Sequence, residues 1–119
     1  MNLILTLIRM NRRDTVIHVK MDRTETQARI SIYGHAMQAP YGNDIVCAGI
    51  STLFTGVANY LSHATADLHP NESIVTAVDL DAGDERLLSM FRETVAEIAM
   101  AYPNNVELWT WSDGDGRQE

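Results

Sequence analysis

The sequence contains one cysteine, Cys47, among its 119 residues. A single thiol cannot form an intrachain disulfide, so a reducing compartment is the default and a cytoplasmic location is expected. No second thiol and no paired ligand motif accompanies His18, His63 or His69, so the pattern does not predict a zinc site. We expect no metal and no cofactor.

Basic residues are also scarce. Lys and Arg total 9 against 16 Asp and Glu, which leaves a net charge of −7. A nucleic-acid-binding surface needs a basic patch, so the charge balance argues against a nucleic-acid partner and suits a basic protein partner. No glycine-rich phosphate-binding motif occurs, and the aromatic residues are too scattered to form a stacking platform for bases.

Long apolar runs are absent. The most apolar opening run, residues 3–8, is far shorter than the roughly 20 residues that a membrane-spanning helix needs. It also lacks the preceding basic residues and the small-residue cleavage site of a signal peptide. We therefore expect no membrane partner.

What the sequence does contain is a strong periodicity of apolar residues. Ile17, Val19 and Met21 alternate with polar residues, as do Ala28 and Ile30, and two such runs joined by a short polar segment predict a β-hairpin. Two later segments repeat apolar residues every three or four positions, which predicts amphipathic helices. The predicted strands are 3–9, 15–21, 27–33, 73–79 and 106–111, and the predicted helices are 43–61, capped by Asp44, and 85–102, capped by Asp84.

This order predicts an α+β fold. A small mixed sheet of about four or five strands carries two amphipathic helices, in the order β-β-(β)-α-β-α-β. Residues 1–111 form one domain, residues 62–71 are a polar connection, and the polar tail 112–119 is expected to be disordered. Two helices on one face leave the other face partly open, with Trp109 or Trp111 on it, and dimerisation fits such an apolar surface.

The stretch from Gly34 to Ser51 carries the candidate chemistry. His35 follows the second hairpin strand, and Cys47 is predicted to be the third residue of the first helix if Asp44 is its cap. The first turn of a helix favours an anion such as a thiolate. A histidine brought close can deprotonate the thiol and later protonate a leaving amine. Backbone N–H groups of Cys47 and a neighbour are candidates for an oxyanion hole.

Other interpretations of the same residues remain open. From spacing alone, an inert buried residue is the more common explanation of Cys47, because that is the usual state of a lone cysteine. Asp44 is a helix cap or a third catalytic residue that orients His35. Ser51, one turn after Cys47, donates to the thiolate or bonds back to the helix backbone. Gly34 and Gly42 are predicted to let the backbone turn, and the loop 36–42 to cover the site as a mobile gate.

These residues resemble a known family. Gly34-His35-Ala36, then Gly42, then Asp44-Ile45-Val46-Cys47-Ala48, then Ser51, is similar to the signature of the bacterial ribosomal-processing cysteine proteases, the Prp family. The resemblance covers roughly residues 15–107, and residues 1–14 precede the usual start of the family as an added strand or a tail.

The resemblance implies a homodimeric cysteine endopeptidase with Cys47 as nucleophile and His35 as general base and acid. It implies a substrate that carries an N-terminal extension, either a ribosomal protein of the large subunit or a phage capsid or scaffold precursor. The alternative is a non-catalytic acidic module that binds a ribosomal or assembly protein. Fast alkylation of Cys47 distinguishes the protease from the module, in which the thiol is buried and slow to react.

Overall fold

The structure is a computed structural model that describes residues 16–34, 41–69 and 72–110. Within these residues the chain forms five strands and two helices, which confirms the predicted α+β class. The predicted strand 3–9, most of the predicted gate and the tail 112–119 lie outside the described residues. The elements are β1 (Ile17–Arg23), β2 (Ala28–Gly34), α1 (Tyr41–Tyr60), β3 (Ala64–Leu68), β4 (Glu72–Ala77), α2 (Ala82–Ala101) and β5 (Val106–Thr110).

The strands form one mixed sheet in the order β3-β4-β2-β1-β5. The predicted hairpin is confirmed, with Ile17 opposite Gly34 and Arg23 opposite Ala28. β2 and β4, and β4 and β3, also pair antiparallel, whereas β1 pairs parallel with β5. Each helix is therefore a crossover between two parallel strands, α1 between β2 and β3, and α2 between β4 and β5.

One face of the sheet carries the core. Ile17, Val19 and Met21 are buried there with residues of both helices, including Phe91 and Val95 of α2. The alternate residues of β1 face away from the helices, and Trp109 on that side is 56% exposed. The described part of the open face therefore includes one of the two tryptophans predicted for it, and Trp111 lies outside the described residues. Neither described helix is long and apolar enough to span a membrane.

The predicted polar connection 62–71 was wrong in part, because it contains β3. This strand has the sequence Ala-Thr-Ala-Asp-Leu, and four of its five residues are exposed. Backbone pairing with β4 holds it at the edge of the sheet, and the connection is closed by a hydrogen bond from the His69 N–H to the Glu72 carbonyl at 2.8 Å. Apolar and polar residues do alternate along Ala64–Leu68, but the run is short and two of its three apolar residues are alanines, so the alternation is a weak strand signal.

The start of α2 also differs from the prediction. Asp81, and not Asp84, is the N-cap, and Asp84 is the third helical residue. The two aspartates form a capping box: the Asp84 N–H donates to Asp81 at 2.8 Å, and the Asp81 N–H donates to Asp84 at 3.0 Å. These bonds satisfy two backbone donors that the helix leaves without an intrahelical acceptor.

Asp84 further joins the two helices. It is 1% exposed, and its second carboxylate oxygen accepts from the backbone N–H of Ser62, just after α1, at 2.9 Å. The Ser62 hydroxyl donates to Asp81 at 2.8 Å. Hydrogen bonds from the Asp84 backbone and the Ser62 hydroxyl hold the pKa of Asp81 below its ordinary value. Asp84, Ser62 and Asp81 thus form a polar clamp between the end of α1 and the start of α2.

A bidentate ion pair ties the hairpin to the same helix. The Arg23 guanidinium, at the end of β1, donates to both carboxylate oxygens of Glu85 at 2.5 and 2.7 Å. The hydrogen bonds from Arg23 lower the pKa of Glu85. Glu85 lies in the first turn of α2, where a negative charge also interacts favourably with the helix dipole.

We predict that Asp84→Ala lowers the free energy of unfolding by about 2–3 kcal/mol, because two partly buried N–H donors lose their acceptor and the helix loses half of its capping box. Urea denaturation followed by circular dichroism measures this. Glu93→Ala, an exposed change on the same helix, is the control and should stay within about 0.5 kcal/mol of the parent. Equal effects of the two changes would contradict the clamp.

Candidate active site

The last residue of β2, Gly34, is held in a conformation that only glycine adopts readily. Its φ is 122°, and a Cβ on it would overlap the carbonyl oxygen of Val16. The Val16 backbone leads directly into β1, whose first residue, Ile17, pairs with Gly34. The absence of a side chain therefore permits a close backbone approach at the point where the chain leaves the sheet toward His35. His35 itself lies outside the described residues.

Helix α1 begins earlier than predicted, and this changes the position of Cys47. The helix starts at Tyr41, so Cys47 is its seventh residue and lies in the second turn. Asp44 is inside the helix and is not its N-cap, and Gly42 has a helical backbone in place of the predicted turn. The helix dipole was predicted to stabilise the thiolate of Cys47. This prediction loses its basis, because the effect of the dipole fades beyond the first turn.

The oxyanion hole predicted at Cys47 is also wrong. Only the first four N–H groups of a helix lack an intrahelical acceptor, and in α1 these belong to residues 41–44. The N–H of Cys47 lies deeper in the helix, where it is engaged by the carbonyl four residues earlier. Backbone donors for a developing oxyanion therefore have to come from a residue other than Cys47.

The Cys47 side chain is 7% exposed and belongs to the core cluster. The predicted apolar stripe of α1 is buried at Val46, Ile50, Val57 and Leu61, while Leu53 is only partly buried. Cys47 thus lies beside the stripe, between the buried residues Val46 and Ile50 of the same helix. The surface of α1 near Cys47 is therefore the region to search for a substrate groove.

An apolar groove runs along that surface. It has a volume of about 320 Å³ and lies between α1 and the strands β2, β3 and β4. Ile32, two residues before Gly34, lines the strand side of the groove. Ser51, one turn after Cys47, lines the helix side. The end of β2 and the second half of α1 therefore border the same groove. The lining residues are Ile32, Ala66, Leu68 and Ser73 from the strands, and Ser51, Phe54, Thr55, Ala58 and Asn59 from α1.

Sequence reasoning missed most of this groove. It identified Ser51 from its spacing to Cys47, and Ser51 is exposed at the groove. The same spacing continues through Thr55 and Asn59, which are also exposed. A row of residues four apart shares one face of a helix, so this polar row was visible in the sequence. Leu68 belongs to the strand that was not predicted, and no sequence signal identified its role.

A second polar cluster lies on the opposite face of the sheet. The His18 ring bonds Glu107 through Nδ1 at 2.6 Å and stacks on Tyr33, with ring centroids 4.8 Å apart. These residues come from β1, β5 and β2, and they are separated from Cys47 by the sheet itself. Among residues 16–34, 41–69 and 72–110, no group of three or more His, Cys, Asp or Glu residues is arranged to hold a metal ion.

The sequence matches the family model described as cysteine protease Prp over residues 16–107. The match begins just before β1 and ends within β5, so it includes every described helix and strand around the groove. Among curated proteins, none matches the sequence.

Solved structures with the same fold come from Staphylococcus aureus. One is the essential ribosomal processing protease Prp in complex with a substrate peptide, 22% identical, with a TM-score of 0.70. Another is that protease with a covalently linked product peptide, 24% identical, with a TM-score of 0.63. A third, a hypothetical protein, is 18% identical with a TM-score of 0.57. Each alignment covers 81% of this chain and 100% of the other chain.

We predict that Gly34→Ala destabilises the protein by about 1–3 kcal/mol, because the new methyl group meets the Val16 backbone and the positive φ is strained. Thermal unfolding measures the loss. Gly56→Ala is the matched control, since a Cβ there meets nothing within 4 Å, and alanine in a helix should be neutral or stabilising. A Gly34→Ala protein as stable as its parent would contradict this account of the strand end.

Proposed function

This chain belongs to the Prp family of cysteine proteases, and on that premise we propose that it is an endopeptidase with Cys47 as its nucleophile and His35 as its general base and acid. The matched range contains both residues. The single observation that carries the assignment is the position of Cys47 one helical turn from a groove that also receives the end of β2.

The short chain segment between His35 and Cys47 supports their pairing. Gly34 ends β2 and Tyr41 begins α1, so only six residues separate the strand from the helix. Cys47 lies six residues into α1, about 9 Å along its axis at 1.5 Å per residue. The short connection keeps His35 and Cys47 close along the chain, and we take this closeness as support for their pairing. A cysteine that merely fills the core has no need of this arrangement.

The reaction follows from the two side chains. His35 removes the thiol proton, and the Cys47 sulfur attacks the carbonyl carbon of the scissile peptide bond. The bond to the leaving amine breaks as His35 returns the proton to the amine nitrogen, leaving an acyl-enzyme. Water, deprotonated by His35, then attacks the thioester, and Cys47 is released. Asp44 has the proposed role of orienting His35, and Ser51 that of donating a hydrogen bond to the thiolate.

We assign the substrate to ribosome assembly: an N-terminal extension on a protein of the large ribosomal subunit. The Staphylococcus aureus relative is a ribosomal processing protease and has been solved with a substrate peptide. The net charge of −7 on this chain suits a basic ribosomal protein. The same proposal places the enzyme in the cytoplasm, as a homodimer formed through the open sheet face that exposes Trp109.

We predict that Cys47→Ala abolishes cleavage of N-terminally extended ribosomal proteins while the protein stays folded, because alanine is a strong helix former and the buried volume lost is small. Cys47→Ser should lose at least about a hundredfold in rate, since a hydroxyl is a far weaker nucleophile than a thiolate. Mass spectrometry of the intact substrate measures both. Cleavage by the alanine variant at the parent rate would rule out Cys47 as the nucleophile, and a parent protein that cleaves none of these substrates would favour the non-catalytic module.

We predict that His35→Ala slows alkylation of Cys47 near neutral pH and moves the midpoint of its pH dependence upward, because the base and its positive charge are both removed. Iodoacetamide labelling followed over pH measures the midpoint. The control is His63→Ala, which changes an exposed histidine beyond the end of α1 and should leave the midpoint in place. An unchanged midpoint in His35→Ala would show that the two residues do not interact.

A further inference from the structure

We propose that the outer edge of β5 is a docking site for residues 3–9 of this same chain, which pair with it as an antiparallel strand. β5 is the last strand in the sheet order and is paired on one side only, with β1. The proposal gives an occupant to the other side of β5 and a role to the apolar run that opens the sequence. It does not depend on the proposed protease activity.

The outer edge of β5 carries backbone groups that lack a partner strand. In a parallel pair, alternate N–H groups of a strand donate to its neighbour. The Ile17 N–H donates to the Asn105 carbonyl at 2.8 Å, and this register directs the N–H groups of Glu107 and Trp109 toward β1. The N–H and carbonyl of Leu108 therefore point to the outer edge, where no strand among residues 16–34, 41–69 and 72–110 pairs with β5. Such an edge is a template for one more strand.

The side chains of β5 leave apolar surface on both faces of the sheet. Leu108 is only partly buried against the core, and Trp109 is 56% exposed on the open face. Residues 3–9 read Leu-Ile-Leu-Thr-Leu-Ile-Arg, with leucine at every odd position from 3 to 7 and isoleucine at positions 4 and 8. A strand of this sequence is apolar on both faces, so it covers Leu108 and Trp109 in either register and removes apolar area from water.

The chain enters the sheet beside the proposed site. Ile17, the first residue of β1, lies opposite Val106, the first residue of β5. An antiparallel strand on the outer edge of β5 ends at this same end of the sheet, two strand spacings or about 10 Å from β1. Residues 10–16, which would connect the two, span up to roughly 23 Å when extended. The connection is therefore long enough to pass from the outer edge of β5 to the start of β1.

The proposed strand is an addition to the family domain. The family model begins at residue 16, so residues 3–9 precede the matched range. Each Staphylococcus aureus chain is covered over its full length by 81% of this chain. The matched range ends within β5 and leaves it at the edge of the sheet, and the pairing would move that edge to a strand outside the match.

The other segment of this chain that could occupy the edge is the tail 112–119, which follows β5. It reads Ser-Asp-Gly-Asp-Gly-Arg-Gln-Glu and contains no aliphatic or aromatic residue. It offers nothing to cover Leu108 or Trp109, and glycine and aspartate are depleted in strands. The composition therefore favours residues 3–9 as the occupant.

Amide hydrogen exchange of the full-length protein, read residue by residue by NMR, tests the pairing. The Leu108 N–H should exchange at least about tenfold more slowly than in an unpaired chain, and it should show Overhauser contacts to residues 4–8. Trp109 is the internal control, because its N–H points to β1 and should be protected with or without the added strand. A Leu108 N–H that exchanges as fast as in an unfolded peptide would overturn the proposal.

Two proline variants, Leu5→Pro and Thr6→Pro, identify the segment responsible. Successive residues of a strand direct their N–H groups to opposite sides, so one of the two prolines removes a hydrogen bond to β5 in any register. That variant should speed exchange at Leu108 about tenfold and leave Trp109 protected. Parent-like exchange at Leu108 in both variants would exclude residues 3–9 as the occupant.

The matched controls are Arg117→Pro and Gln118→Pro, which make the same changes in the C-terminal tail. Both should leave exchange at Leu108 and Trp109 unchanged. Faster exchange at Leu108 in either of them, with no effect of the prolines at positions 5 and 6, would assign the edge to the tail and overturn the proposal.

A mixed sample separates pairing within one chain from pairing between two chains. Two preparations that carry different isotope labels are unfolded, combined and refolded together. Overhauser contacts between Leu108 and residues 3–9 should then appear only within chains of the same label. Contacts between chains of different label would assign the edge to a second copy and overturn the proposal.

Discussion

The buried carboxylate of Asp84 is the contact on which the relative placement of the two helices depends. It is one of only two polar side chains buried within the described residues, and it accepts hydrogen bonds from the end of α1 and from the cap of its own helix. Both helices lie on the same face of the sheet, and they share one apolar core. Fixing the end of α1 against the start of α2 therefore also fixes the depth and direction of the helix that carries Cys47.

Much of the fold was predictable because the described core obeys simple periodicity. Ile17, Val19 and Met21 repeat with the period of a strand, and Phe91 and Val95 with that of a helix, and all five are buried. β3 was not predicted because its alternating pattern is only five residues long and relies on two alanines, and backbone pairing at the sheet edge stabilises it with little apolar burial. The α2 cap was misplaced by three residues because Asp81 and Asp84 both have cap chemistry, and only their reciprocal bonds decide between them.

The candidate site was predictable in its parts and not in its geometry. Residue types and spacing identified Cys47, His35 and Gly34, and the family match spans all three. The first turn of α1 was misjudged because Asn43 and Asp44 suit a cap as well as a helix interior, and the helix begins three residues before Asp44. The groove combines three strands with one helix, so it depends on sheet order, and sheet order is not encoded locally.

The parallel pairing of β1 with β5 constrains how this molecule is made. Ile17 lies opposite Val106, so the second strand from one end of the sheet receives its partner only from the last described segment of the chain. Contacts between residues so far apart in sequence close slowly, because the entropy of the intervening loop is lost before they form. A chain emerging from the ribosome thus carries an incomplete sheet until residue 110 has been made. The unpaired backbone edge of β1 stays exposed for that interval, and such an edge is a site at which an incomplete chain can pair with another chain.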